Sequence, residues 1–119
     1  MRSSPILYTF TQFNQLVANG RQAAQSDDFD PMPVFKLFTP EGSATWLLSE
    51  LDPDHHDRAF GLCDLGLGSP ELGYVSIHEL SVLRTRDLRL RVERDRYFIP
   101  DRPLSVYAAE ARAAGRIIA

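Results

Sequence analysis

Four carboxylates, Glu50, Asp52, Asp64 and Glu71, flank or interrupt the most apolar stretch of the chain. They would supply a pair for general acid and base work if the strand ends that carry them cluster. A hydrolase of that kind needs an enclosed pocket lined by two of them, whereas a flat sheet face without one points to a binding protein. Acidic surface and turn residues need no chemistry at all, and nothing in their spacing indicates a perturbed acidity. Asp64 differs from the others because it lies within an apolar hairpin, where an unpaired charge is costly. Accepting hydrogen bonds from the glycine-rich turn is the structural role that competes with catalysis there.

His55 and His56, with Asp54, Asp57 and His78, are residue types that divalent metals prefer. Neighbouring side chains in a loop rarely converge on one ion, and no H-E-x-x-H is present, so no metal is expected. Gly61, Gly66, Gly68 and Gly73 superficially suggest a phosphate loop. A nucleotide fingerprint sits between a strand and a helix, however, and Gly66-Leu67-Gly68 sits between two strands. Cys63 is the only cysteine and has no identifiable activating base, so in an apolar strand it behaves as a small hydrophobe. No G-x-S-x-G occurs, and no cofactor is expected.

The elements that must position these residues follow from periodicity. Thr9 and Gln12 stand in capping-box register, and Phe10, Phe13, Leu16 and Val17 recur on one helical face, predicting a helix over 10–19 with Gly20 as its stop, although residues 21–25 could add a turn. Residues 27–33 carry two prolines and form a linker. Strands follow over 34–39 and 44–51, joined by Pro40-Glu41-Gly42 as a type I turn with the glycine in the left-handed region. Alternation puts Trp46 and Leu48 on one face of the second strand and Leu47 and Leu51 on the other, so both faces need cover. A polar loop over 52–57 leads to a third strand near 58–65 and, through the glycine hairpin, a fourth near 72–76.

Ser76 and Glu79 then start a short helix over 77–84. Leu88, Leu90 and Val92 alternate with Arg89, Arg91 and Glu93 within 84–96, which predicts an edge strand with a wet face. Leu104, Tyr107, Ala108 and Ala111 share one stripe of a last helix over 103–114, stopped by Gly115. The expectation is an α+β fold with an antiparallel sheet of four to five strands, an N-terminal helix, a short helix after strand four and a C-terminal helix. Trp46, Leu48, Leu62 and Tyr74 should pack between sheet and helices. A binding surface on the same sheet would draw on Trp46, Glu50, Asp52, Asp64, Glu71 and Tyr74.

At 119 residues the chain has the length of one domain, and 44% hydrophobic with 24% charged content suits a globular protein. No apolar run approaches the roughly 20 residues of a membrane span, and Ile6-Leu7-Tyr8 is too short for a signal peptide, so a reducing cytoplasm is expected. The net charge of −3 excludes neither protein nor nucleic acid as a partner. Its distribution is uneven: residues 41–79 hold eight acids against Arg58 alone, and 80–119 hold nine arginines against five acids. A protein partner is the first expectation. The basic half, through Arg84, Arg86, Arg89 and Arg91, could contact phosphates, but it lacks interleaved exposed aromatics.

From Leu16 to Ile117 the chain resembles a family known only as a domain of unknown function. The resemblance rests on Val17-Ala18-Asn19-Gly20-Arg21, Lys36-Leu37-Phe38-Thr39-Pro40, Thr45-Trp46-Leu47-Leu48 with Glu50-Leu51-Asp52-Pro53, Phe60 through Val75, Glu93-Arg94-Asp95 and Leu104-Ser105 with Tyr107. It implies a small accessory protein encoded on plasmids and conjugative elements, often near antirestriction genes, and transfers no catalytic residues. His55-His56 falls in a variable acidic loop of the family pattern. Within that context, residues 41–79 could form one acidic surface and act as a decoy for a DNA-binding defence enzyme, or form the acidic rim of a mixed protein interface.

Overall fold

The computed structural model describes residues 7–119; Ile6 of the short apolar segment Ile6-Leu7-Tyr8 lies outside them. The chain runs α1 (Phe10–Gln25), β1 (Phe35–Phe38), β2 (Thr45–Asp52), β3 (His55–Asp64), β4 (Glu71–Ser76), α2 (Ile77–Val82), β5 (Glu93–Arg94) and α3 (Leu104–Ala114). The strands form one antiparallel sheet in the order β4-β3-β2-β1-β5. The fold is α+β, as the order of hairpins and helices predicts.

Both sheet faces are covered. On one, Leu16 and Val17 of α1 and Leu80 of α2 pack with Trp46, Leu48 and Leu51; on the other, Leu104, Tyr107, Ala108 and Ala111 of α3 pack with Leu47 and Leu62. Three of the local boundaries are those of the sequence. Thr9 and Gln12 close a reciprocal capping box, Ser76 caps α2, and Gly115 ends α3 in the left-handed region at φ 77.

Gly20 does not stop α1, which continues to Gln25. β1 pairs with β2 only as far as Leu48, and α1 lies along the edge of β2 beyond that point. The Asn19 side-chain amide donates to the Ser49 carbonyl at 2.8 Å, and a Cβ on Gly20 would stand 1.8 Å from the Leu51 oxygen. The glycine is there to let a helix touch a strand backbone.

Strand β2 also departs from simple alternation. Its register with β3 shifts between Leu48 and Glu50, a bulge at Ser49, and the shift inverts which face each later residue takes. Leu51 therefore joins Trp46 and Leu48 rather than Leu47. Opposite the bulge Gly61 meets the β2 backbone so closely that a Cβ would lie 2.1 Å from the Leu47 oxygen.

Other expectations are corrected. His55 and His56 begin β3, because the β2–β3 connection is a tight turn at Pro53 and Asp54 in which Asp52 Oδ1 accepts the Asp54 amide at 2.9 Å. In the β1–β2 turn Glu41 takes the positive φ of 58, with the Gly42 amide donating to the Thr39 carbonyl, the pattern of a type II turn after Pro40. The expected edge strand shrinks to Glu93–Arg94. Residues 84–91 bend back on themselves through the bridge Arg84 to Arg91, with the Leu88 and Leu90 amides donating to Glu41 and Thr85 side chains instead of a strand. The core expectation holds for Trp46, Leu48 and Leu62 but not Tyr74, which is 60% exposed and outside the cluster that α3 forms with Leu47 and Leu62.

Candidate functional site

The bulge at Ser49 brings Glu50 opposite Phe60, and Phe60 lies opposite Tyr74 on β4. The three side chains form a row across the sheet on the face that α3 covers only in part. The Phe60 and Tyr74 rings lie 5.0 Å apart at 60°, and the Arg58 guanidinium sits 4.0 Å from the centre of the Tyr74 ring. Gly20, Ala23 and Ala24 of α1 wall the row on one side, and Asp52, Pro53 and Asp54 close its end. The result is an open cleft of about 240 Å³ with an aromatic floor and three carboxylates.

Burial pushes the Glu50 carboxyl above the usual carboxylate range. No cation is paired with it among the described residues, so the half-buried carboxylate retains its affinity for positive charge.

The candidate residues divide. Glu50, Asp52 and Tyr74 come together in the cleft. Trp46 is 2% exposed in the core of the opposite face and offers nothing to a surface. Asp64 is buried, its Oδ1 accepting the Gly66 amide at 2.8 Å and its Oδ2 the Ile117 amide at 2.9 Å, so it ties the glycine turn to the C-terminal segment. Glu71 is exposed at the far end of β4, opposite Cys63.

The acidic residues of 41–79 do not share one surface. Glu41 stands at the β1–β2 turn against residues 84–91, Asp64 is internal, and Asp57 is held by the Ser76 hydroxyl and the His78 amide at the start of α2. Adjacent histidines on a strand point to opposite faces, and among the described residues no group of three or more His, Cys, Asp or Glu side chains could hold a metal ion. Cys63 packs against the core, and burial raises its thiol to about 11.

Gly20, Ala23, Ala24, Pro53, Asp54 and Phe60 line the cleft and Arg58 lies over its Tyr74 ring, and the sequence reading placed none of them in a binding site. Alternation along β3 and β4 already places Arg58 with Phe60 and Leu72 with Tyr74; reading Gly20 as a stop removed Ala23 and Ala24 from view.

Over residues 7–118 the chain matches the family described as "Protein of unknown function (DUF2958)". The chain belongs to that family. No curated protein and no solved structure matches it. Among the described residues, no helix is long and apolar enough to cross a membrane.

Proposed function

We propose that this family member is a non-enzymatic accessory protein of a mobile genetic element that binds a protein partner in the cytoplasm. The mobile-element and host-defence setting is what the sequence resemblance implies. The observation that carries the binding role is the Phe60–Tyr74 floor: a half-buried ring on β3 beside an exposed one on the outermost strand, rimmed by Glu50, Asp52 and Asp54. Arg58 already uses the Tyr74 face as a seat for a guanidinium. A basic, extended segment of a partner would find further carboxylates next to it, and the scattered placement of the other acids favours such a mixed interface over a DNA decoy.

The test is co-purification from the native host with the wild-type chain, Tyr74→Ala and the pair Asp52→Asn with Glu50→Gln. A partner retained by the wild type, lost by both cleft variants and kept by a distant Leu67→Ser variant supports the proposal. Proteins retained equally by every variant would overturn it. Between about 50 and 200 mM salt the affinity of a mixed interface should fall only moderately.

A hydrolase is the second reading, favoured by the raised Glu50 carboxyl sharing its cleft with Asp52. Glu50 would be the acid and Asp52 the second carboxylate of the pair. Turnover of a phosphoester, peptide or glycoside probe that disappears in Glu50→Gln would put this reading first.

A further inference from the structure

The opposite edge of the sheet carries a second surface that the acidic cleft does not explain. Arg86, Arg89 and Arg91 are exposed on residues 84–91, and Arg94 in β5 and Arg96 beyond it continue the series. The Leu88 amide is bonded to Glu41 at the β1–β2 turn, while Arg94 and Arg96 line a cleft of about 330 Å³ with Thr9, Gln12 and Phe35. The arginines therefore follow the β1–β5 edge from the β1–β2 turn to Phe35, of which β1 itself spans roughly 10 Å at the rise of a strand. Arg84 is not among them, because its guanidinium turns back to the Ser81 and Leu83 carbonyls.

None of these five arginines is ion-paired among the described residues. The carboxylates nearby are Glu41, Asp87, Glu93 and Asp95. Glu41 accepts the Leu88 amide, and Asp95 is paired with Lys36 at 3.5 Å and accepts the Tyr97 amide. That last bond belongs to a turn that projects Tyr97 outward, 91% exposed, directly after Arg96. Single exposed apolar side chains are ordinary. An exposed ring at the end of a line of unpaired arginines is the combination that grips a phosphate backbone and stacks an unpaired base.

We propose that this edge binds single-stranded nucleic acid, with Arg86, Arg89, Arg91, Arg94 and Arg96 on the phosphates and Tyr97 under a base. A duplex satisfies the arginines but not the ring, since its bases are already stacked. The surface is separate from the acidic cleft, so either proposal can fail alone.

Fluorescence anisotropy of labelled 20-nucleotide poly-dT and poly-U at 50 mM salt tests it, with a 20-base-pair duplex as comparison. The expected dissociation constant against single strands is on the order of micromolar to tens of micromolar, and weakens as salt rises to 200 mM. The tighter of the two polymers identifies the natural one. Arg86→Gln, Arg91→Gln and Arg96→Gln should each flatten the logarithmic salt slope by about 0.7. Tyr97→Ala should weaken single-strand binding roughly tenfold, and Tyr97→Phe should retain it. All four positions are exposed, and Trp46 fluorescence on heating verifies that each variant is folded. No binding by about 100 µM at 50 mM salt, binding unchanged when the three arginines are replaced together, or equal affinity for duplex with Tyr97→Ala silent would each overturn the proposal.

Discussion

Gly20→Ala separates helix propensity from tertiary packing, because the two predict opposite signs. Position 20 lies inside α1, where alanine favours the helix over glycine by about 1 kcal/mol. The new Cβ, however, would stand 1.8 Å from the Leu51 carbonyl oxygen and 3.3 Å from the Pro53 ring, and a backbone oxygen cannot swing away. The helix must retreat from β2, which costs about 2 kcal/mol as overpacking. That retreat also pulls the buried Asn19 amide from the Ser49 carbonyl, about 2 kcal/mol more for a polar pair left unsatisfied. After subtracting the helix gain, the variant should be less stable by about 3 kcal/mol, a fall of roughly 10 °C in Tm for a domain of this size. Urea unfolding followed through Trp46, the only tryptophan and 2% exposed, measures it directly. Ala18→Gly, at an exposed position of the same helix, should lose only about 1 kcal/mol. A Gly20→Ala protein as stable as the wild type would refute the close contact between α1 and β2.

Leu62→Ala, at a residue with no exposure between β3 and α3, should cost about 2–5 kcal/mol in the same assay. Asp64→Asn should destabilise as well, since an amide offers one acceptor to the Gly66 and Ile117 amides that now share two carboxylate oxygens; an unchanged urea midpoint would contradict the geometry. The Asp57 carboxyl is held below its ordinary value first by the Ser76 hydroxyl, then by the His78 amide and the charges of His55 and His78, against an opposing effect of burial. A lowered folded pKa stabilises above the unfolded value and ceases to do so as pH falls through the folded one, so the Tm gap between wild type and Asp57→Asn should be full near pH 7 and shrink below about pH 4. Glu50 has the opposite sign: its raised carboxyl favours the fold at low pH and costs stability as pH rises through its folded value, so Glu50→Gln should gain Tm at neutral pH and lose that gain in acid. Cys63, with its thiol raised to about 11, should resist iodoacetamide at pH 7.5 until urea unfolds the chain, and rapid labelling of the native protein would place it elsewhere.

What the chain declares locally could be read from it. The Thr9 and Gln12 box, the Ser76 cap and the left-handed Gly115 are settled within a few residues, by backbone groups that must find partners close at hand. The apolar stripe of α3 holds whole, whereas that of α1 holds for Phe13, Leu16 and Val17 but not for Phe10, which is 78% exposed. The hairpins from β1 to β4 follow for the same reason, since each strand meets the next through a short turn. The cleft was not legible in this way. Its carboxylate faces the aromatic row only because a bulge at Ser49 inverts the alternation of β2, and a bulge is selected by the neighbouring strand, the Gly61 that admits it and the Asn19 amide that takes the displaced carbonyl. Gly20 looks like a stop until the strand it touches, some 30 residues later, is in place. Leu88, Leu90 and Val92 carry a strand's alternation, yet the amides of Leu88 and Leu90 bond to Glu41 and Thr85 side chains, and only two residues of that segment find β1. Asp64 could be recognised as a charge that needed partners. That one partner is Ile117, at the other end of the domain, was decided only when α3 laid the C-terminal segment against the glycine turn.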